Sequence, residues 1–178
     1  MPPEEPNPKA RKINIEILLG VSAVVLSLAA LFVSIFQTKI AREEQHASVW
    51  PYLQAYVSTR KGQYLWQLEN RGIGPAIIQK VECMYDTTSY ENPREFFFSK
   101  LGYHNKGAGF DYIQNGSVIK SGDGVNLIGI YENDSLGRKL EEYITGQHLN
   151  LRLVYSDVYG NCWQLDQGKV TPLDECPE

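Results

Sequence analysis

The chain has 178 residues, of which 43% are hydrophobic and 21% charged, ordinary globular usage that excludes a disordered, collagen-like or low-complexity protein. Three cysteines are too few for a disulfide-dense secreted scaffold, and a formal net charge of -4 argues against broad electrostatic binding to nucleic acid. The mean hydropathy of -0.32 reads as soluble, but it averages two very different parts.

The first dozen residues, MPPEEPNPKARK, carry four prolines and mixed charge, and residues 1–12 are expected to form a disordered tail. A transmembrane helix is expected over 13–37. Its centre, Ile17 to Phe36, reads ILLGVSAVVLSLAALFVSIF, 20 residues without a charge. As a helix this run spans roughly 30 Å, the thickness of a bilayer's hydrocarbon core. A soluble core helix is seldom apolar on every side between basic flanks. A cleavable signal peptide is the stronger rival, with Ser27-Leu28-Ala29 as its small-residue cleavage site. The apolar run continues for seven residues past Ala29, however, and the segment reads as an uncleaved anchor in a cell (inner) membrane. Lys9, Arg11 and Lys12 precede the span while Lys39 and Arg42 follow it, a lean toward a cytoplasmic N-terminus. Gly20, Ala23, Ser27, Ala30 and Ser34 recur at steps of three and four, a small-residue stripe of the kind that lets two helices approach closely in lipid and makes a homo-oligomer possible.

Residues 38–49 contain no Gly or Pro and extend the helix as a stalk, which Trp50-Pro51 ends. Trp50 and Tyr52 are expected to pack at the base of the following domain. That domain, residues 50–178, holds the excess charge: residues 46–178 carry 12 basic and 16 acidic residues, whereas residues 1–45 carry five of each.

From Pro51 the pattern is that of strands. Tyr52–Ser58 and Gln63–Asn70 alternate around a turn, giving a hairpin. Ala76–Asp86 is a third strand, with Ile78, Lys80, Glu82 and Met84 expected on one face and Ile77, Val81, Cys83 and Tyr85 mostly on the other. Ser117–Tyr131 gives two short strands, Leu149–Asp157 another, and CWQLD the last. Short helices are expected at Pro93–Leu101 and at Asp134–Ile144, the latter capped by Asp134 or Ser135. Six or seven short strands over about 125 residues suggest an antiparallel, Ig-like β-sandwich, with a small β-barrel as the alternative closed solution.

The most distinctive local text is ENRGIGPAII, Glu69 to Ile78. As a nucleotide loop it fails, because a dinucleotide fingerprint needs a third glycine where Ile77 stands, and a helix rather than a β-branched strand after it. A tight structural turn is the expectation. The anchor, the stalk reaching SVWPYL, the N-x-G-x-G-P-A turn and the late YSDVYGNCW hairpin together resemble a group of uncharacterised bacterial single-span membrane-anchored proteins. The likeness covers most of the chain; it implies a bacterial cell membrane and supplies no activity.

His46, His104 and His148 match no zinc spacing, and Asp111, Asp123 and Asp157 read as turn aspartates that bond their own backbone. Cys162 and Cys176 either pair in an oxidising compartment or remain thiols in a reducing one. No cofactor or metal is expected. Tyr103, His104, Phe110 and Tyr112 interleave with a glycine-rich stretch that forms the candidate binding loop. These features point to a membrane-anchored, non-enzymatic binding protein whose partners are the bilayer and a protein or small ligand. Two alternatives remain: an oligomeric membrane effector or sensor acting through its helix, and an enzyme built from dispersed residues such as Asp157, His148 and Tyr159.

Overall fold

The computed structural model describes residues 14–102 and 107–177, and the chain divides into two units, residues 1–44 and 45–178. The expected tail, residues 1–12, lies outside the described residues. Helix α1 runs over Ile15–Ala47, 33 residues or about 50 Å. Its most apolar window has a mean hydropathy of 2.5 with none of it buried, long and apolar enough to cross a membrane. Side chains such as Leu18 and Phe36 project freely, 59% and 64% exposed. Ser22, Ser27 and Thr38 turn their hydroxyls back onto the carbonyls of Leu19, Val24 and Ser34, each at 2.9 Å. In hydrocarbon that bond supplies the partner that water would otherwise provide.

The second unit is mainly β. In chain order its elements are β1 (Leu53–Arg60), β2 (Gln63–Asn70), β3 (Ala76–Tyr85), β4 (Thr88–Tyr90), α2 (Pro93–Phe96) continuing as a π-helical turn (Phe97–Leu101), and β5 (Ala108–Gly109). There follow β6 (Val118–Ile119), β7 (Gly124–Tyr131), α3 (Asp134–Thr145), β8 (Leu149–Ser156), β9 (Cys162–Asp166) and β10 (Lys169–Leu173). Two antiparallel sheets result. The first has the order β1-β2-β7-β5; the second has β10-β9-β8-β3-β4, with β6 also paired to β3. Neither sheet closes into a barrel among the described residues.

One core lies between them. Period-two alternation turns Tyr64, Trp66 and Leu68 of β2 and Leu149, Leu151, Leu153 and Tyr155 of β8 inward, where Phe96 and Phe97 join them. Burying a side chain of that size contributes about 1.5–3 kcal/mol. Burial also pushes the Tyr155 hydroxyl up to about 12, against the pull of the Leu53 N–H that it accepts at 3.4 Å. On the opposite face of β8, Val154 and Ser156 are buried as well. Leu173, Cys176 and Pro177 share a cleft with Val154, and the Cys162–Cys176 disulfide ties that C-terminal segment to β9.

Three sequence expectations need correction. Ile78 belongs to the same inward set as Cys83, both wholly buried, because a register shift between Ile78 and Lys80 flips the face halfway along β3. The cap of α3 is Asn133, whose Oδ1 accepts the Leu136 N–H at 3.2 Å, so Asp134 stands in the first turn, where its charge favours the helix dipole. The strands β4, β5 and β10 are also additional to the expected set. The first two are only three and two residues long, and β10 contains Pro172, tolerated because that strand lies at the edge of its sheet.

Candidate functional site

The glycine turn after β2 is a structural clamp. Asn70 is wholly buried, and its carboxamide meets four backbone groups. Its Oδ1 accepts the N–H of Tyr52 at 3.2 Å and of Gly72 at 3.0 Å; its Nδ2 donates to the carbonyls of Gly74 at 2.8 Å and Ile119 at 3.0 Å. The turn in its path lies directly on the segment entering β1. Ile73 N–H donates to the Trp50 carbonyl at 3.0 Å and Arg71 N–H to that of Tyr52 at 2.8 Å. A Cβ on Gly74 would collide with the Val49 backbone, and one on Gly72 would stand 2.7 Å from the Pro51 carbonyl carbon. Only glycine permits that approach. Trp50 itself keeps 43% of its surface exposed, its ring 5.4 Å from that of Tyr52.

The expected binding loop is divided by the structure. Tyr103 and His104 lie outside the described residues. Phe110 is half-buried, its ring 4.9 Å from Phe97 and 5.6 Å from Phe98, and so forms part of the wall of the core. Tyr112 is 67% exposed and stands between two clefts. One, of about 290 Å³, includes Asn92, Arg94, Phe110 and Leu127; the other, of about 400 Å³, includes Gln79, Glu91 and Gln114. The backbone on either side of this ring is pinned. Asp111 accepts the Asn126 N–H through Oδ2 at 2.6 Å and donates its own N–H to the Asn126 carbonyl at 2.8 Å. Ile113, after it, is 5% exposed and anchored in the core. An aromatic side chain held out on a fixed backbone loses little entropy on binding.

Other candidates fall into separate places. Asp157 is buried in the β8–β9 turn, where Oδ1 accepts the N–H groups of Tyr159 and Asn161 at 2.8 and 2.9 Å and Oδ2 accepts the Asn161 amide at 2.7 Å. His148 lies before β8 and Asp157 after it, roughly 30 Å apart along an extended strand, so His148 is not brought to the aspartate. It pairs instead with Asp86 at 2.7 Å on the surface. Cys83 is wholly buried, and desolvation pushes its thiol far above the ordinary range, which keeps it protonated and unreactive. Among the described residues no three His, Cys, Asp or Glu side chains gather as a metal site. Gly20, Ala23, Ser27, Ala30 and Ser34 are all exposed along α1.

Sequence reasoning missed a further cleft, of about 230 Å³, between the sheets where β1 is an open edge. Its floor includes Trp66, Leu149, Leu151 and Leu165, and Gln147 and Gln167 stand at its rim. Both glutamines occupy the left-handed backbone region, at φ of 61° and 50°, where glycine or asparagine is usual, so turn propensity gave no warning of them. Comparison with protein-family models, with curated proteins and with solved structures finds no match to this chain.

Proposed function

We propose that this chain is a single-span, membrane-anchored, non-enzymatic binding protein, with an Ig-like β-sandwich head on the outer side of the cell membrane that engages a protein partner around Tyr112. The observation that carries the reading is the Tyr112 ring, 67% exposed and flanked by two clefts although the chain on both sides of it is pinned. Rigid exposed aromatics next to concave surface are the anchors that dominate protein recognition energies. Asn92 and Gln114 supply neutral hydrogen-bonding groups beside it, and Arg94 supplies a charge at the edge.

Two features support the outer side. The Cys162–Cys176 disulfide belongs to an oxidising compartment. Three basic residues precede the span against two after it, the direction of the positive-inside rule. The uncleaved anchor rests on the seven apolar residues beyond Ala29 and on a helix that continues without a break to Ala47.

A photoreactive residue at Gln114 tests the surface in intact membranes. One discrete adduct is expected, and Tyr112→Ala should abolish it while leaving the unfolding midpoint of the head unchanged. No adduct, or an adduct that survives Tyr112→Ala, overturns the reading.

A further inference from the structure

The cleft under the open edge of β1 shares no residue with the Tyr112 surface, and its lining has a character of its own. The floor is apolar and drawn from both sheets: Trp66 of the first, and Leu149, Leu151 and Leu165 of the second, none more than 2% exposed. The rim carries Thr145, Gln147, Asn150 and Gln167, and among the described residues no ionisable side chain lines the cleft. An ion entering it would lose hydration with no opposite charge to replace the water, a cost of several kcal/mol. The lining therefore selects an uncharged guest.

The rim is also built rather than incidental. Arg152 grips Asp166 Oδ2 through Nε at 3.0 Å and Nη2 at 2.9 Å. Asp166 Oδ1 accepts the Asn150 amide at 2.6 Å, and Asn150 Oδ1 accepts the Gln167 N–H at 3.0 Å. This chain of bonds engages both ends of the Asn150 carboxamide and holds the backbone of Gln167 at a φ of 50°. On the facing side, Gln147 N–H donates to the Ile144 carbonyl at 3.1 Å, which sets Gln147 at a φ of 61°. Among the described residues neither glutamine's carboxamide has a hydrogen-bond partner. Two donor–acceptor groups thus stand on ordered turns beside a dry floor. Left-handed backbone at a non-glycine residue costs about 1 kcal/mol or more, and a glycine at either position would remove that cost.

We infer that this cleft binds a small neutral molecule with an apolar face and hydroxyl or amide groups along its edge, held between the carboxamides of Gln147 and Gln167. The volume of about 230 Å³ lies under the roughly 300–1,000 Å³ usual for drug-sized sites, so the guest is of single-ring size, the class of a monosaccharide or its N-acylated form. The acyl methyl and ring face meet Ala55 and Ile144, the half-buried apolar residues of the lining, and the hydroxyl and amide groups meet the glutamines.

Saturation-transfer NMR on the full chain in lipid nanodiscs tests this with three probes of one shape: N-acetylglucosamine, its cationic parent glucosamine, and anionic glucuronate. Transfer to N-acetylglucosamine alone is expected. The paired variant Gln147→Gly and Gln167→Gly should weaken its binding about tenfold or more. The unfolding midpoint should not fall, since glycine relieves the left-handed backbone at both positions. No transfer to N-acetylglucosamine, equal transfer to either charged probe, or unchanged affinity in the paired variant each overturns the inference. None of those failures touches the Tyr112 reading.

Discussion

Removing the Asn70 carboxamide is the sharpest perturbation of the clamp between the glycine turn and the segment entering β1. In Asn70→Ala, the N–H groups of Tyr52 and Gly72 and the carbonyls of Gly74 and Ile119 all lose their side-chain partner. At about 1 kcal/mol net for each bond, the loss is about 4 kcal/mol. Domains of ordinary size have about 5–15 kcal/mol in total, so this is a large fraction. The assay is urea unfolding of the full chain in detergent micelles, followed by the fluorescence of tryptophan, since Trp66 is 2% exposed and reports the core. With a slope of about 2 kcal/mol per molar, the midpoint should fall by about 2 M. Asn70→Asp keeps the accepting oxygen but sets a second carboxylate oxygen against the carbonyls of Gly74 and Ile119, so it should lose at least as much. Asn115→Ala, at an exposed position, should stay within about 0.5 kcal/mol of the parent. A loss under about 1 kcal/mol in Asn70→Ala would refute the clamp, because it would mean that those backbone groups find other partners.

The cysteines give a labelling pattern. With Cys162 and Cys176 paired and Cys83 wholly buried, a thiol reagent should modify none in the native chain, one after denaturation, and all three after denaturation with reductant. A native chain that labels at Cys83, or three reactive thiols without reductant, would contradict the structure. Tyr155 sets a pH dependence. Its folded value of about 12 lies above the ordinary value near 10, so its contribution is complete below about pH 10 and is lost as pH rises through 12. Tyr155→Phe should make the alkaline fall in stability shallower; an equally steep fall would show that this hydroxyl does not drive it.

Much of the architecture was legible because its signals are local. A run of 20 uncharged residues, the alternation of Leu149, Leu151, Leu153 and Tyr155, and the turn after Arg60 each need only near neighbours to be read. What stayed hidden depends on contacts between distant parts of the chain. The shift between Ile78 and Lys80 exists because β8 bonds that way, and it moves Ile78 inward without a proline or glycine to announce it. β5 is two residues long and is defined by the pairing of Ala108 with Ile130, so no periodicity can reveal it. The candidate sites divide in the same way. Tyr112 and Phe110 stood out as aromatics in a glycine-rich stretch, but only the nearness of Phe97 to Phe110 separates the exposed ring from the packed one. Gln147 and Gln167 are 20 positions apart and polar, ordinary surface residues until β8 and β9 bring them to one rim. The role of Asn70 was half visible: a tight turn was expected over Glu69 to Ile78, whereas the bond from Asn70 to Ile119 reaches 49 residues along the sequence.

The orientation and permanence of the anchor are tested together by protease digestion of sealed, right-side-out membrane vesicles carrying the chain with an N-terminal epitope tag. External protease should remove the head while the tag survives on a membrane-bound fragment that includes Ile17 to Phe36. A protected head, or a mature product that has already lost the tag and begins beyond Ala29, would contradict it.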